Sequence, residues 1–167
     1  MALADERWVD PADGASNERL VREHLLKDGA SAAHFVGLKN AAATPDLGAA
    51  AAWGSLAGIA RPFDIAVLGM GDDGHTASLF PDAPNLGRAL EEPAAGYIGM
   101  EAPTAPRARM SLNLAALLDS RRIVILITGD SKWQTYLAAA ASGPLAEMPV
   151  RAVLRQEHTP VEVIWCP

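Results

Sequence analysis

The sequence predicts an α/β fold, a mostly parallel sheet flanked by helices in the Rossmann-like manner. Three observations carry that prediction. Arg122 to Thr128 reads RIVILIT, apolar almost without interruption, as a strand buried on both faces of a parallel sheet must be. A second run, Phe63 to Leu68, delivers the chain into the glycine cluster GMGDDG, where a strand gives way to a loop. Segments with helical spacing and helix caps lie between such runs, and that alternation builds a sheet whose ligands sit beyond the carboxyl ends of its strands.

Taken in order, Ala2 to Val9 forms the end of a strand. Asn17 to Leu26 carries Leu20, Val21 and Leu25 at helical spacing behind Ser16 or Asn17 as cap. His34 to Leu38 is a short strand. Thr44 caps a helix that opens on Pro45 and runs through alanine-rich sequence towards Ile59. Arg61-Pro62 ends it, because the residue before a proline is pushed out of the helical region, and Phe63 to Leu68 follows as a strand. Gly96 to Met100 is a further strand, and Ser111 to Leu118 fits a strand or a helix equally. After the buried strand Arg122 to Thr128, Asp130 to Ala141 is a helix closed by Ser142-Gly143-Pro144. Val161 to Trp165 is the terminal strand.

With 167 residues, half of them apolar, the chain suits a single domain with a real core. The longest weakly polar stretch, Ala41 to Ala60, is broken by Thr44, Pro45, Asp46 and glycines and falls short of a bilayer span. Asp5, Glu6 and Arg7 follow Met1 too closely for a secretory apolar region, and the lone Cys166 cannot close an internal disulfide, so a cytoplasmic setting is expected. A net charge of -6 with no clustered Lys or Arg argues against nucleic acid as partner. Any anionic ligand must therefore be held by a few local cations, and a monomer is the default expectation.

Three segments carry chemistry. The first is Gly69-Met70-Gly71-Asp72-Asp73-Gly74-His75. It satisfies the dinucleotide spacing G-x-G-x-x-G after a strand, but Asp72 and Asp73 would set two negative charges where a pyrophosphate should lie. Acid-base work fits better. A carboxylate such as Asp73 can orient an imidazole, the side chain whose ordinary titration spans neutral pH, while Gly69, Gly71 and Gly74 leave backbone open to a ligand. The bland alternative is a strand-turn-helix junction with His75 as a polar cap. The second segment, Ile123 to Lys132, ends a strand at Thr128-Gly129 and places Lys132 in the first helical turn, where free N–H groups favour a phosphate. An ordinary capped helix with a solvated lysine would look the same. The third, Leu3 to Val9, sets Asp5, Glu6 and Arg7 between apolar residues. These three cannot all face a core bare, so they enter a turn or converge on a ligand, Arg7 forking onto a phosphate and Asp5 orienting a base.

Together these segments resemble one family, the 6-phosphogluconolactonases, within the wider sugar-phosphate isomerase type that includes the glucosamine-6-phosphate deaminases. The resemblance runs through LADERWV, the Ser16-Asn17 pair, DIAVLGMGDDGHTASLFP, RMSLNLAALLDSRRIVILITGDSK and the closing MPVRAVLRQ. Deaminases continue their glycine-His segment towards Asn-Glu-Pro and carry an aromatic at the position of Arg7. Here His75 leads into Thr76-Ala77-Ser78-Leu79-Phe80-Pro81, as in the lactonases.

The resemblance implies hydrolysis of 6-phospho-D-glucono-1,5-lactone to 6-phospho-D-gluconate in the pentose phosphate pathway, with no metal or organic cofactor. It implies His75 as the general base on water, Asp73 or Asp5 as its orienter, and backbone N–H groups of the glycine loop facing the oxyanion. Arg7 and Lys132 would hold the sugar phosphate, with Arg107 and Arg109 as further candidates; His24, His34 and His158 match no motif. Family members normally begin with an additional strand-loop-helix portion holding a Ser-Gly-Gly phosphate loop, and nothing before Leu3 supplies it. The expectation is an N-terminally truncated domain over residues 1 to 167 with weak or no activity. The alternatives are a sugar-phosphate-binding module without catalysis and a deaminase-like isomerase.

Overall fold

Parallel and antiparallel pairing are segregated in this chain into two sheets that share one core. The computed structural model describes residues 1 to 167. Strand β1, Asp5–Arg7, pairs antiparallel with β4, Ala108–Leu112, which pairs antiparallel with β3, Tyr97–Glu101. Strand β2, Ala66–Gly69, pairs parallel with β5, Ile123–Thr128, which pairs parallel with β6, Val161–Cys166. The expected single, mostly parallel sheet is thus corrected to two three-stranded sheets, one of each kind. The cause is a short connection: residues 102 to 107 join β3 to β4, and a link of that length permits only a hairpin, since a parallel crossover needs a dozen residues or more.

Two of the six α-helices start where their caps predict. Ser16 Oγ accepts from Arg19 N at the start of α1, Asn17–His24, and Thr44 Oγ1 accepts from Leu47 N at the start of α2, Pro45–Gly54. The ambiguous stretch Ser111 to Leu118 divides at Asn113: Ser111 and Leu112 end β4, and the Asn113 side chain accepts from Ala116 N and opens α4, Leu114–Leu118. Helix α5, Gly129–Ala140, follows β5 without a linker. Two short helices, α3 over Leu86–Glu91 and α6 over Val150–Leu154, start without a side-chain cap hydrogen bond and were not expected. His34 to Leu38 is not a strand; Val36 makes a single parallel bridge to Ala2.

The core joins Leu68, Ile125 and Ile127 of the parallel sheet to Ile98, Met100 and Met110 of the antiparallel one, with Leu79 and Leu117 between. The burial of β5 on both faces also needs correction. Ile123, Ile125 and Ile127 point into the core, whereas Leu126 on the opposite face is 47% exposed, flanked by exposed Val67 and Ile164 on the neighbouring strands. No helix of the structure is long and apolar enough to cross a membrane.

Candidate active site

The parallel strands β2 and β5 run side by side, Gly69 opposite Leu126, and the loop after β2 meets the first turn of α5, which follows β5 directly. This is the position at which an α/β sheet offers backbone and helix ends to a ligand. The loop after β2 is folded by its own hydrogen bonds: Gly71 N donates to His75 O (2.8 Å) and Gly74 N to Gly71 O (3.0 Å). Two glycines are sterically required. A Cβ on Gly71 would overlap the His75 ring and stand 2.5 Å from Asp73 Oδ1; at Gly74, φ is +77° and a Cβ would meet Met148 at 2.8 Å. Met148 precedes α6, and Val150 N donates to Gly74 O (2.9 Å), so the closing MPV segment buttresses the loop.

His75 and Asp73 form the central pair. Asp73 Oδ1 lies 2.6 Å from His75 Nδ1 and accepts from His75 N at 3.0 Å. One carboxylate oxygen therefore fixes both the backbone and the ring of the same residue. With Nδ1 committed to the carboxylate, neutral imidazole presents the lone pair of Nε2 outward, the tautomer a base requires. The Phe80 ring packs on the imidazole with centroids 4.5 Å apart. Partial burial acts to raise the Asp73 pKa, but hydrogen bonds from the His75 backbone and ring, together with its charge, outweigh it and hold the carboxyl below its ordinary 3.8. A depressed carboxyl contributes stability above its unfolded pKa and loses it as pH falls through the folded value. Replacing Asp73 by Asn should therefore lower the melting temperature slightly at pH 6, and the gap from the parent should close below about pH 4; thermal melts across that range check it, and a gap independent of pH would contradict the linkage.

Asp5 stands elsewhere. Its Oδ2 accepts from Ser78 Oγ at 2.6 Å and its Oδ1 from Asn17 Nδ2 at 3.3 Å, so of the two candidate orienters Asp73 alone contacts the imidazole. Asp5 instead grips the turn that follows His75, where Ala77 adopts φ +48° and Ser78 N donates to Ser111 Oγ. Glu6 is buried within β1, and its carboxylate accepts from Arg7 N, Asn17 N, Ser16 Oγ and Glu18 N.

The cations divide into two groups. Arg7 and Arg109 are register partners across β1 and β4. Arg7 Nη1 donates to Ala15 O and Asn17 Oδ1, both at 2.8 Å, while its buried Nε has no acceptor. Arg109 is buried, donates through Nε to Pro106 O, and lies 5.7 Å over the Phe80 ring, which links it to His75. Burial and the neighbouring Arg7 charge lower its pKa against the opposing pull of Asp5 and Glu6. On the other side, Lys132 Nζ lies 3.3 Å from Asp72 Oδ1 at the start of α5. Arg107 does not join either group: its bonds run to Glu101 and Pro103 within the β3–β4 hairpin.

The loop N–H groups of Gly71, Gly74 and His75 are already engaged within the loop, contrary to the expectation that these amides lie open to an oxyanion. Arg109 approaches the imidazole through the Phe80 ring, and Lys132 approaches the same loop through Asp72. Phe80, Ser78, Met148 and Asp72 complete the site without having been singled out for it; their signal was only adjacency to the glycine-His segment or membership of the closing MPVRAVLRQ.

The family model of glucosamine-6-phosphate isomerases/6-phosphogluconolactonase matches residues 1–165. A 6-phosphogluconolactonase of Rhizobium meliloti is 45% identical over 168 residues, covering all of this chain and 72% of its own length. One of Pseudomonas putida is 42% identical, covering all of this chain and 68% of its own. The crystal structure of a 6-phosphogluconolactonase from Shewanella baltica superposes with a TM-score of 0.94 at 49% identity, over 98% of this chain and 70% of that one.

Proposed function

The chain belongs to the glucosamine-6-phosphate isomerase/6-phosphogluconolactonase family, and from that premise we propose that it hydrolyses 6-phospho-D-glucono-1,5-lactone to 6-phospho-D-gluconate with His75 as general base. The pair of His75 Nδ1 and Asp73 Oδ1 at 2.6 Å carries the reading. Water bound at Nε2 gives up a proton to the imidazole as its oxygen attacks the lactone carbonyl. The tetrahedral intermediate then collapses, the bond from carbonyl carbon to ring oxygen breaks, and the imidazolium returns the proton to the departing oxygen. Net, water is added and the acid formed ionises. Asp73 at Nδ1 fixes the ring so that Nε2 serves both transfers.

Negative charge on the carbonyl oxygen and on the phosphate calls for cations, and the flanking Lys132, Arg109 and Arg7 supply them. Arg7 keeps part of its fork for the loop at Ala15 and Asn17, so its share in anion binding rests on Nε and Nη2. Arg107 takes no part in this reading. Holding the remote phosphate fixes the ester near Nε2 and converts an encounter into a positioned reaction. A single cysteine, Cys166, unpaired within the chain, is in keeping with the cytoplasm as the setting proposed with it.

The test is a coupled assay that consumes 6-phosphogluconate, measuring lactone opening above the spontaneous rate. Enzyme-dependent opening that scales with protein concentration is expected. A rate equal to the spontaneous one, with 6-phosphogluconate still bound, would replace hydrolysis by simple binding.

A further inference from the structure

The mechanism leaves one charged member of the His75 loop without a task, and its position gives it one. Asp72 Oδ1 lies 3.3 Å from Lys132 Nζ and 3.1 Å from Ser131 Oγ, and Thr135 Oγ1 lies 3.4 Å from the Asp72 carbonyl oxygen. These contacts tie the loop that bears the imidazole to the first turns of α5. The Lys132 ammonium has no other carboxylate partner. Their exposures are unequal: the Asp72 side chain is 68% exposed and that of Lys132 27%, so the carboxylate can swing into water while the ammonium stays against the protein.

We propose that Asp72 is a positioning residue that holds Lys132 when no ligand is bound and competes with the sugar phosphate for it. This rests on the reading of Lys132 as a phosphate ligand. A phosphate monoester carries more charge than a carboxylate at neutral pH and offers three acceptor oxygens, so it takes the ammonium and releases Asp72. The competition weakens substrate and product alike, since both present the same phosphate. It is uniform binding, which changes KM without accelerating the chemical step. Its use lies in turnover, because the carboxylate returns to Lys132 as the product phosphate leaves. A half-exposed ion pair of this kind is worth at most about a fivefold change in an equilibrium constant, and less at high salt.

The test is a double-mutant cycle on the full chain, read by calorimetric binding of 6-phosphogluconate and by KM for the lactone. Asn at position 72 keeps an oxygen for Ser131 and removes only the charge. Asp72→Asn is expected to tighten 6-phosphogluconate binding about two- to fivefold at low salt, to lower KM in step and to leave kcat no higher. Lys132→Met is expected to weaken binding at least tenfold, and Asp72→Asn should then add nothing. Tightening that persists in the Lys132→Met background would mean general repulsion between Asp72 and the phosphate, and overturns the proposal. Binding that depends on Lys132 but is indifferent to Asp72→Asn, or weakened by it, overturns the proposal alone. Binding indifferent to Lys132→Met overturns the phosphate assignment of Lys132, and the proposal with it.

Discussion

His75→Asn should lower kcat for lactone opening by about 10²- to 10⁴-fold, the usual worth of a positioned general base, while 6-phosphogluconate binding changes by no more than a few-fold. Asparagine fits the space and can still bond Asp73, so the turn survives. What it lacks is a nitrogen that takes a proton from water and releases it again. The split between kcat and binding is the diagnostic, since Lys132 and the arginines hold the phosphate in this reading and none of them bonds to the imidazole. Because the lactone opens by itself in water, the comparison must be made after subtracting the spontaneous rate. A kcat reduced less than tenfold would remove His75 from the proton transfer, and the Asp73 contact would then be read as a loop clamp.

The legibility of this site in the sequence follows the range of the interactions that build it. Gly71, Asp73, Gly74 and His75 lie within five residues, and their mutual geometry is set by one loop. Their proximity could therefore be read directly, whereas the glycines were read as backbone open to a ligand and the packing of the His75 ring on Gly71 emerges only from the fold of the loop. The choice between Asp73 and Asp5 as the partner of the imidazole could not. It depends on where β1 runs relative to the turn after His75, and the bond from Ser78 to Asp5 spans 73 residues. Arg109 is placed by the register of β1 against β4, a property of strand pairing that no local pattern in either segment states. The same limit explains the sheet. Strands β2, β3, β5 and β6 were recognisable by their apolar runs, β1 only as part of Ala2 to Val9 and β4 only through the ambiguous Ser111 and Leu112, but parallel or antiparallel pairing is decided by the connection. Only the short one, between β3 and β4, forces an answer. Helices α3 and α6, at six and five residues, have too few turns for an apolar stripe to repeat.

Glu6→Ala should destabilise the fold by about 3 to 5 kcal/mol, the scale seen when a buried charge network loses a partner, and lower the melting temperature by roughly 10 °C or more. The residue is 1% exposed, and its carboxylate accepts four hydrogen bonds. Two donors, Asn17 N and Glu18 N, belong to the opening turn of α1, where backbone N–H groups have no partner within the helix and a negative charge meets the positive end of the dipole. A third, Arg7 N, lies in β1, and the fourth, Ser16 Oγ, also receives the Arg19 amide as helix cap. One carboxylate thus joins the edge strand to α1 and fixes the segment at Ala15 and Asn17 on which the Arg7 guanidinium rests. Alanine would leave four donors without their acceptor, two of them in fully buried bonds, and open a cavity. Glutamine keeps the volume but turns an NH2 group towards two of those donors, so its cost should fall between the parent and the alanine variant. If the loss is structural, kcat per folded molecule at low temperature should stay within a few-fold while thermal unfolding moves. A Glu6→Gln protein that melts with the parent would show that water or neighbouring groups can replace the carboxylate, and that the strand and helix are held together by their apolar contacts.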